Sequence, residues 1–323
     1  MIEALELQFQ ELREAIDEGH NILIVSHERP DPDAVASVLA FHNVLKKMGK
    51  NSQPFLADAP PKNLSFLPGF FEIKNVIDFE PDLLLGLDYG DFKRMRLPEA
   101  ITQSPGLKIA TVDHHLAGDQ RGEIQILGPE FSSTAEIVYH WLKHQQIEID
   151  KDLATCLLAG IFSDSGGFCH TTTSPQTLNI VSELLLKGVP LGKITYQTMA
   201  VAKPVNVSQA WGQILARTQL DQRTGLAHSW VSPEDIQKNG ISFADFDGLT
   251  NLVANCSTSS VGLFLMEYEK GKIKGSLRSE PQGGINVAEI AKGLGGGGHE
   301  YSAGFQQEGT IEETLKKVIS LIK

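Results

Sequence analysis

Cysteine is scarce in this chain of 323 residues, which has only Cys156, Cys169 and Cys256. An odd, widely spaced set of three builds neither a disulfide framework nor a zinc ribbon. The neighbours Cys169 and His170 suggest a thiol nucleophile, but a structural cysteine is the commoner case. Long apolar runs are also lacking. The longest, such as Leu83–Leu87, are strand-sized, well short of the ~20 residues a membrane helix needs. The opening Met-Ile-Glu-Ala-Leu-Glu has no basic segment followed by an apolar core, so no signal peptide is expected, and the expected setting is the cytoplasm with no membrane partner. Positive charge is in deficit: 28 Lys and Arg face 40 Asp and Glu, a formal net charge of −12. Such a surface disfavours gripping a long duplex nucleic acid by its phosphates. Short oligonucleotides and mononucleotides remain open, and bound cations would offset part of the acidic excess.

What is present is an ordinary globular composition, 41% hydrophobic and 21% charged, in a chain long enough for two domains. Apolar spacing predicts helices over 3–18, 34–48, 133–145, 151–163 and 175–187, and strands over 21–26, 52–57, 83–87, 107–112 and 123–127. Their alternation implies a parallel α/β sheet. The pattern weakens around Gly188, Pro190, Gly192 and Pro204, which suggests a first domain over 1–187, a connection over 188–207 and a smaller α+β domain over 208–323. In that second part, 211–220, 226–231 and 260–268 look strand-like and 286–293 looks helical. No solenoid repeat is visible.

Acid and histidine fall at the ends of the predicted strands. His27, Asp31 and Asp33 follow the first, Asp88 follows Leu83–Leu87, and Asp113, His114 and His115 follow the strand at 107–112. Ligands of open α/β sheets bind beyond the carboxyl ends of the strands. Gathered carboxylates repel one another, and divalent cations remove that conflict. Mixed carboxylate and imidazole donors suit Mn²⁺ or a similar ion, and a shared Asp would hold two ions close enough for two-metal hydrolysis. Separately, Asp33 could simply cap the following helix. Asp164 ends a predicted helix, where its charge opposes the macrodipole unless a cation sits nearby. In the second domain Gly295, Gly296, Gly297 and Gly298 lead to His299 after a predicted helix. Four consecutive glycines let backbone N–H groups form an anion-binding nest, and Arg278 could add a guanidinium for phosphate.

These motifs together resemble the DHH phosphoesterase family: Ser26-His27-Glu-Arg-Pro-Asp31-Pro-Asp33, Leu87-Asp88, Val112-Asp113-His114-His115 and Phe162-Ser-Asp164-Ser-Gly166. Ser276-Leu-Arg278-Ser279 and Gly295–His299 followed by Ala303-Gly304 resemble its DHHA1 substrate-binding domain. The similarity is greatest to the nanoRNase/pAp-phosphatase type. It implies a parallel-sheet DHH domain followed by a smaller DHHA1 domain, and hydrolysis of short oligonucleotides and of the 3′-phosphate of pAp. Other readings are a phosphodiesterase for linear pApA, a RecJ-like single-strand exonuclease, a family II pyrophosphatase and a nucleotide-sensing binding protein.

The resemblance also implies roles. One cation would take His27, Asp31 and Asp88. The other would take Asp33, Asp88, His114 and Asp164, with Asp88 shared. Mn²⁺ is expected, with Mg²⁺ and Co²⁺ as alternatives. His115 would contact the phosphate or protonate the leaving group, Asp113 would orient a histidine, and Arg278, Gly295–Gly298 and His299 would hold a terminal phosphate. A homodimer is left open. The family's Pro-Asp-Gly-Asp is here Pro30-Asp31-Pro32-Asp33, and Ala36 stands where a Gly is usual. Because Pro32 fixes its own φ, an altered first loop is expected.

Overall fold

The computed structural model describes residues 4–115, 118–198, 204–246, 249–254, 260–279 and 285–322. It divides into two compact units, Met1–Ala202 and Lys203–Lys323.

The first unit runs α1 (Glu6–Glu18), β1 (Asn21–Val25), α2 (Pro32–Lys47), β2 (Asn51–Phe55), β3 (Leu83–Leu87), α3 (Glu99–Thr102), β4 (Lys108–Asp113), β5 (Ile124–Leu127), α4 (Thr134–His144), α5 (Lys151–Asp164), α6 (Pro175–Leu186) and α7 (Leu191–Thr198). The sheet is wholly parallel in the order β2-β1-β3-β4-β5. Its strands are continuous apolar runs because both faces are buried. In β1, Ile22 and Ile24 enter the large core beneath α1, α2, α4 and α5, while Leu23 and Val25 enter a smaller core with Tyr89, Phe92 and Met95. The chain leaves β1 for β2 on one side and returns as β3 on the other. A crevice at this reversal of strand order is where such sheets bind ligands.

The second unit runs α8 (Val205–Ala216), β6 (Gln219–Asp221), β7 (Leu226–Val231), α9 (Pro233–Asn239), α10 (Leu249–Ala254), β8 (Val261–Glu269), β9 (Lys272–Ser279), α11 (Val287–Gly293), β10 (Gly297–His299), β11 (Ser302–Glu308) and α12 (Ile311–Leu321). Its sheet, β10-β11-β9-β8-β7-β6, is antiparallel except where β7 meets β8.

The strand expected over 211–220 is corrected by the structure. Residues to Ala216 are helical, because Val207, Ala210 and Ile214 recur at intervals of three and four and bury one face. Only Gln219–Asp221 is strand. Within the interval 188–207, α7 forms a helix whose Ile194 is fully buried in the core of the first unit.

Candidate metal centre

The first ligand loop follows β1 directly. His27 is buried, and its Nδ1 lies 2.7 Å from Glu28 O. A carbonyl oxygen only accepts, so Nδ1 is the donor of that contact, and Nε2 is turned toward Asp31, whose Oδ2 is 3.5 Å away. Asp31, not Asp33, caps α2: its Oδ1 accepts from Ala34 N at 3.0 Å. The expectation for Asp33 is corrected by two positions. Pro32 then occupies the first helical turn, where its fixed φ suits the helix and its missing N–H costs nothing.

Asp33 is fully enclosed. Its Oδ2 accepts from Thr134 N at 2.7 Å and its Oδ1 from Ala135 N at 3.1 Å. The N-terminus of α4, capped by Ser133, therefore grips this carboxylate with two backbone donors. Asp88 leaves β3 with φ +52°, and its N–H donates to Val112 O. Its Oδ1 accepts from Thr134 Oγ1 at 3.0 Å. Thr134 is thus a site residue that the motif reading missed. The run Ser132-Ser133-Thr134 announces a helix start, but nothing local announces contacts with residues 33 and 88.

A buried acid, Glu136, fixes that helix start. It accepts from Ser132 N at 3.0 Å, from Ser132 Oγ, and from Thr177 Oγ1 of α6 at 3.1 Å.

Register pairs Leu87 with Val112, so Asp88 and Asp113 leave adjacent strands side by side. β4 extends one residue beyond its expected end and includes Asp113. Asp113 is buried: Oδ2 accepts from Tyr89 N at 3.0 Å and Gly90 N at 2.8 Å, while Oδ1 accepts from His115 N at 3.0 Å and contacts His115 Nδ1 at 2.7 Å. His114 Nε2 lies 3.6 Å from Asp88 Oδ1 and 3.3 Å from Asp164 Oδ2. Asp164 is the last residue of α5.

His27, Asp31, Asp33, Asp88, His114, His115 and Asp164 therefore meet at the carboxyl edge of the sheet. Three sets of donor atoms lie within 4.8 Å of one another: His27, Asp31 and Asp88; Asp33, His114 and Asp164; Asp88, His114 and His115. Asp88 belongs to two of them. His115 Nδ1 is already committed to Asp113, which makes it the weaker donor of the third set. The electrostatics fit a cation site. Burial, then repulsion from Asp164 and Asp31, pushes the Asp33 carboxyl well above the usual range. Burial, then Asp33 and Asp31, does the same to Asp88, and burial also raises Asp164. Acids so placed cannot all ionise without compensating positive charge. In contrast, burial acts to raise Asp113, but hydrogen bonds from His115 and backbone N–H groups outweigh it and hold Asp113 low. That carboxylate in turn raises His115 above an ordinary imidazole.

The two described cysteines stand apart from this chemistry. Cys156 is buried in the core, which pushes its thiol up. Cys169 is exposed, with Sγ 3.8 Å from Gly167 O. Cys256 lies outside the described residues.

In the second unit, the glycine run is less a loop than a turn entering a strand. Gly295 has φ +74°, and Gly297 already belongs to β10. Gly296 and Gly298 press against β11: an added Cβ would lie 2.2 Å from Gly304 O and 2.5 Å from Ala303 Cα, respectively. Close strand packing thus accounts for part of the glycine requirement. Register places Arg278, Ser302 and His299 in one row across β9, β11 and β10. The Arg278 guanidinium is half buried, with Nη1 donating to Leu277 O at 2.9 Å.

The family model for the N-terminal domain of the DHH family matches residues 21–161, and that for the DHHA1 domain matches 225–323. A protein of Thermus thermophilus called bifunctional oligoribonuclease and PAP phosphatase NrnA is 31% identical over 307 residues, spanning 94% of this chain and 89% of that protein. The chain belongs to the DHH–DHHA1 family. A Bacillus subtilis family member of the same name is 26% identical, with 91% of each chain covered. The crystal structure of an exopolyphosphatase-related protein from Bacteroides fragilis superposes with a TM-score of 0.89 at 26% identity, over 98% of this chain and 95% of that one. No helix among the described residues is long and apolar enough to cross a membrane.

Proposed function

We propose that this protein is a phosphoesterase that binds two divalent cations, Mn²⁺ by preference, and hydrolyses short oligonucleotides and the 3′-phosphate of pAp. The observation that carries the reading is the position of Asp88, within ligand distance both of His27 with Asp31 and of His114. The names of the Thermus and Bacillus relatives supply the substrate class.

His27, Asp31 and Asp88 would hold one cation, and Asp33, Asp88, His114 and Asp164 the other. Such ions supply Lewis-acid neutralisation of the phosphoryl oxygens and a water nucleophile at neutral pH. His115, with Nδ1 anchored on Asp113, would present Nε2 as the proton donor to the leaving oxygen. The hydrogen bond and charge of Asp113 raise the basicity of this imidazole. Arg278 and the Gly295–His299 segment would take the terminal phosphate of the substrate.

A turnover panel tests the reading. The Mn²⁺-loaded chain is given pAp, linear pApA, two- to five-residue RNA and DNA, long single-stranded DNA and pyrophosphate. Release of AMP from pAp and of mononucleotides from two- to five-residue RNA, abolished by chelator, is expected. Preference for long DNA favours the RecJ-like alternative. Nucleotide binding without turnover of any substrate defeats the enzymatic reading.

A further inference from the structure

A 3₁₀ turn, Phe92–Met95, follows β3 and carries Arg94, six residues after Asp88. Its backbone is fixed on both sides: Arg94 N donates to Asp91 O at 2.9 Å, and Glu28 N, next to the ligand His27, donates to Arg94 O at 2.6 Å. The half-buried side chain turns inward. Nη1 reaches Tyr89 O at 3.3 Å, a long hydrogen bond. A methyl built on Gly90 would lie 3.4 Å from Arg94 Nη1 and 3.5 Å from both Cδ2 and Cγ of His115. The guanidinium and the imidazole thus flank one point over Gly90, and their proximity acts to lower the basicity that Asp113 confers on His115.

The neighbouring arginines have acidic partners. Arg96 lies 3.3 Å from Asp58 and 3.7 Å from Glu28, and Arg121 pairs with Asp119. Among the described residues no carboxylate oxygen comes within 4.0 Å of the Arg94 guanidinium, although Asp88 and Asp113 both lie against His115. A planar fork with most of its donors unspent matches the paired oxygens of a phosphate.

We propose that Arg94 is a catalytic residue that grips a non-bridging oxygen of the phosphate under attack, beside His115. The inference rests on the phosphoesterase reading above. Arg94 restrains the phosphate from the protein side and stabilises the charge that accumulates on its oxygens as the leaving group departs.

The experiment compares wild type, R94A and R94K as full-length chains. It measures turnover of pAp with Mn²⁺, calorimetric Mn²⁺ binding, and inhibition by inorganic phosphate. R94A is expected to lose about 10²–10³-fold in kcat/KM. Its Mn²⁺ affinity should stay within about twofold of wild type, while phosphate inhibition weakens about tenfold or more, the scale of one lost charged contact. R94K should recover part of the loss, because a point charge replaces the fork. Wild-type turnover alongside an R94A enzyme of equal kcat/KM overturns the inference and leaves the phosphoesterase reading standing. Loss of Mn²⁺ affinity in step with turnover makes Arg94 a support of the ligand loop and also overturns it. An inactive wild type overturns both.

Discussion

Thr134 donates its hydroxyl to Asp88 Oδ1 at 3.0 Å and its N–H to Asp33 Oδ2 at 2.7 Å. One residue at the start of α4 thus holds two carboxylates that arrive from different strand ends. Thr134→Val keeps the shape and the N–H but removes the hydroxyl. We expect Mn²⁺ affinity to fall about 10- to 100-fold, the usual effect of losing an outer partner of a ligand, and Thr134→Ser to restore most of it. Calorimetric titration decides; unchanged binding in the valine variant removes Thr134 from the ligand support.

Asp88 links the site to pH. Burial, followed by repulsion from Asp33 and Asp31, raises its folded-state pKa. In the unfolded chain it ionises near ~3.9. The stability it contributes to the metal-free protein is therefore complete below that value and is lost as pH rises through the raised folded value. Metal-free Asp88→Asn should melt higher than wild type at about pH 8, where Asp88 of the unfolded wild-type chain is ionised and the folded site disfavours that charge. Mn²⁺ should raise the wild-type melting temperature but barely move that of the variant, which should also lose nearly all turnover. Thermal melts with and without Mn²⁺ across pH check this; equal Mn²⁺ shifts in both proteins count against a shared role for Asp88.

Asp113 anchors His115 Nδ1 at 2.7 Å. Asp113→Asn removes the charge that raises this imidazole. We expect kcat to fall about 10²-fold, within the range of general acid catalysis, with Mn²⁺ affinity little changed. Steady-state kinetics paired with calorimetry separate this from a collapse of the ligand set, in which both quantities would drop.

Gly160 sits inside α5, where glycine costs about 1 kcal/mol relative to alanine. A Cβ here would lie 2.4 Å from Asp33 Oδ1 and 2.6 Å from Ala135 Cβ. Neither neighbour can yield, because α4 clamps the carboxylate. Gly160→Ala should therefore destabilise the fold by about 1–3 kcal/mol, as overpacking does, and weaken Mn²⁺ binding. A denaturation midpoint at or above that of wild type would refute it.

Arg278→Ala tests the second unit. The expected result is a higher KM for phosphate-terminated substrates with kcat nearly unchanged, since the contact would act on substrate and transition state alike. Unchanged kinetics remove Arg278 from substrate binding.

Much of the first unit is legible in the sequence, for a physical reason. Its strands are buried on both faces and read as unbroken apolar runs, so their ends, and the acids and histidines just beyond, stand out. The sequence does not show what depends on distant packing. Asp33 meets Thr134 only once α2 and α4 dock, and the 3₁₀ turn carrying Arg94 has no apolar period to mark it. In the second unit β9 and β11 carry no clear apolar signal, because Lys272–Ser279 alternates with glycine and charge and Ser302–Glu308 ends in polar residues. The strand expected over 211–220 overlaps the end of α8, whose helical interval shows only when Val207 and Ala210 are taken together with Ile214.

Asp164 is the last in sequence of the gathered ligands, and it closes a helix that begins only at Lys151. A ribosome must therefore reach residue 164 before the full set of donors exists. Until α5 is made and seats itself against α2, the growing chain lacks the acid that completes the group of Asp33, His114 and Asp164. If the proposed two-cation site is right, its assembly is in this way timed by synthesis, and a fragment ending before residue 164 is expected to bind fewer cations than the longer chain.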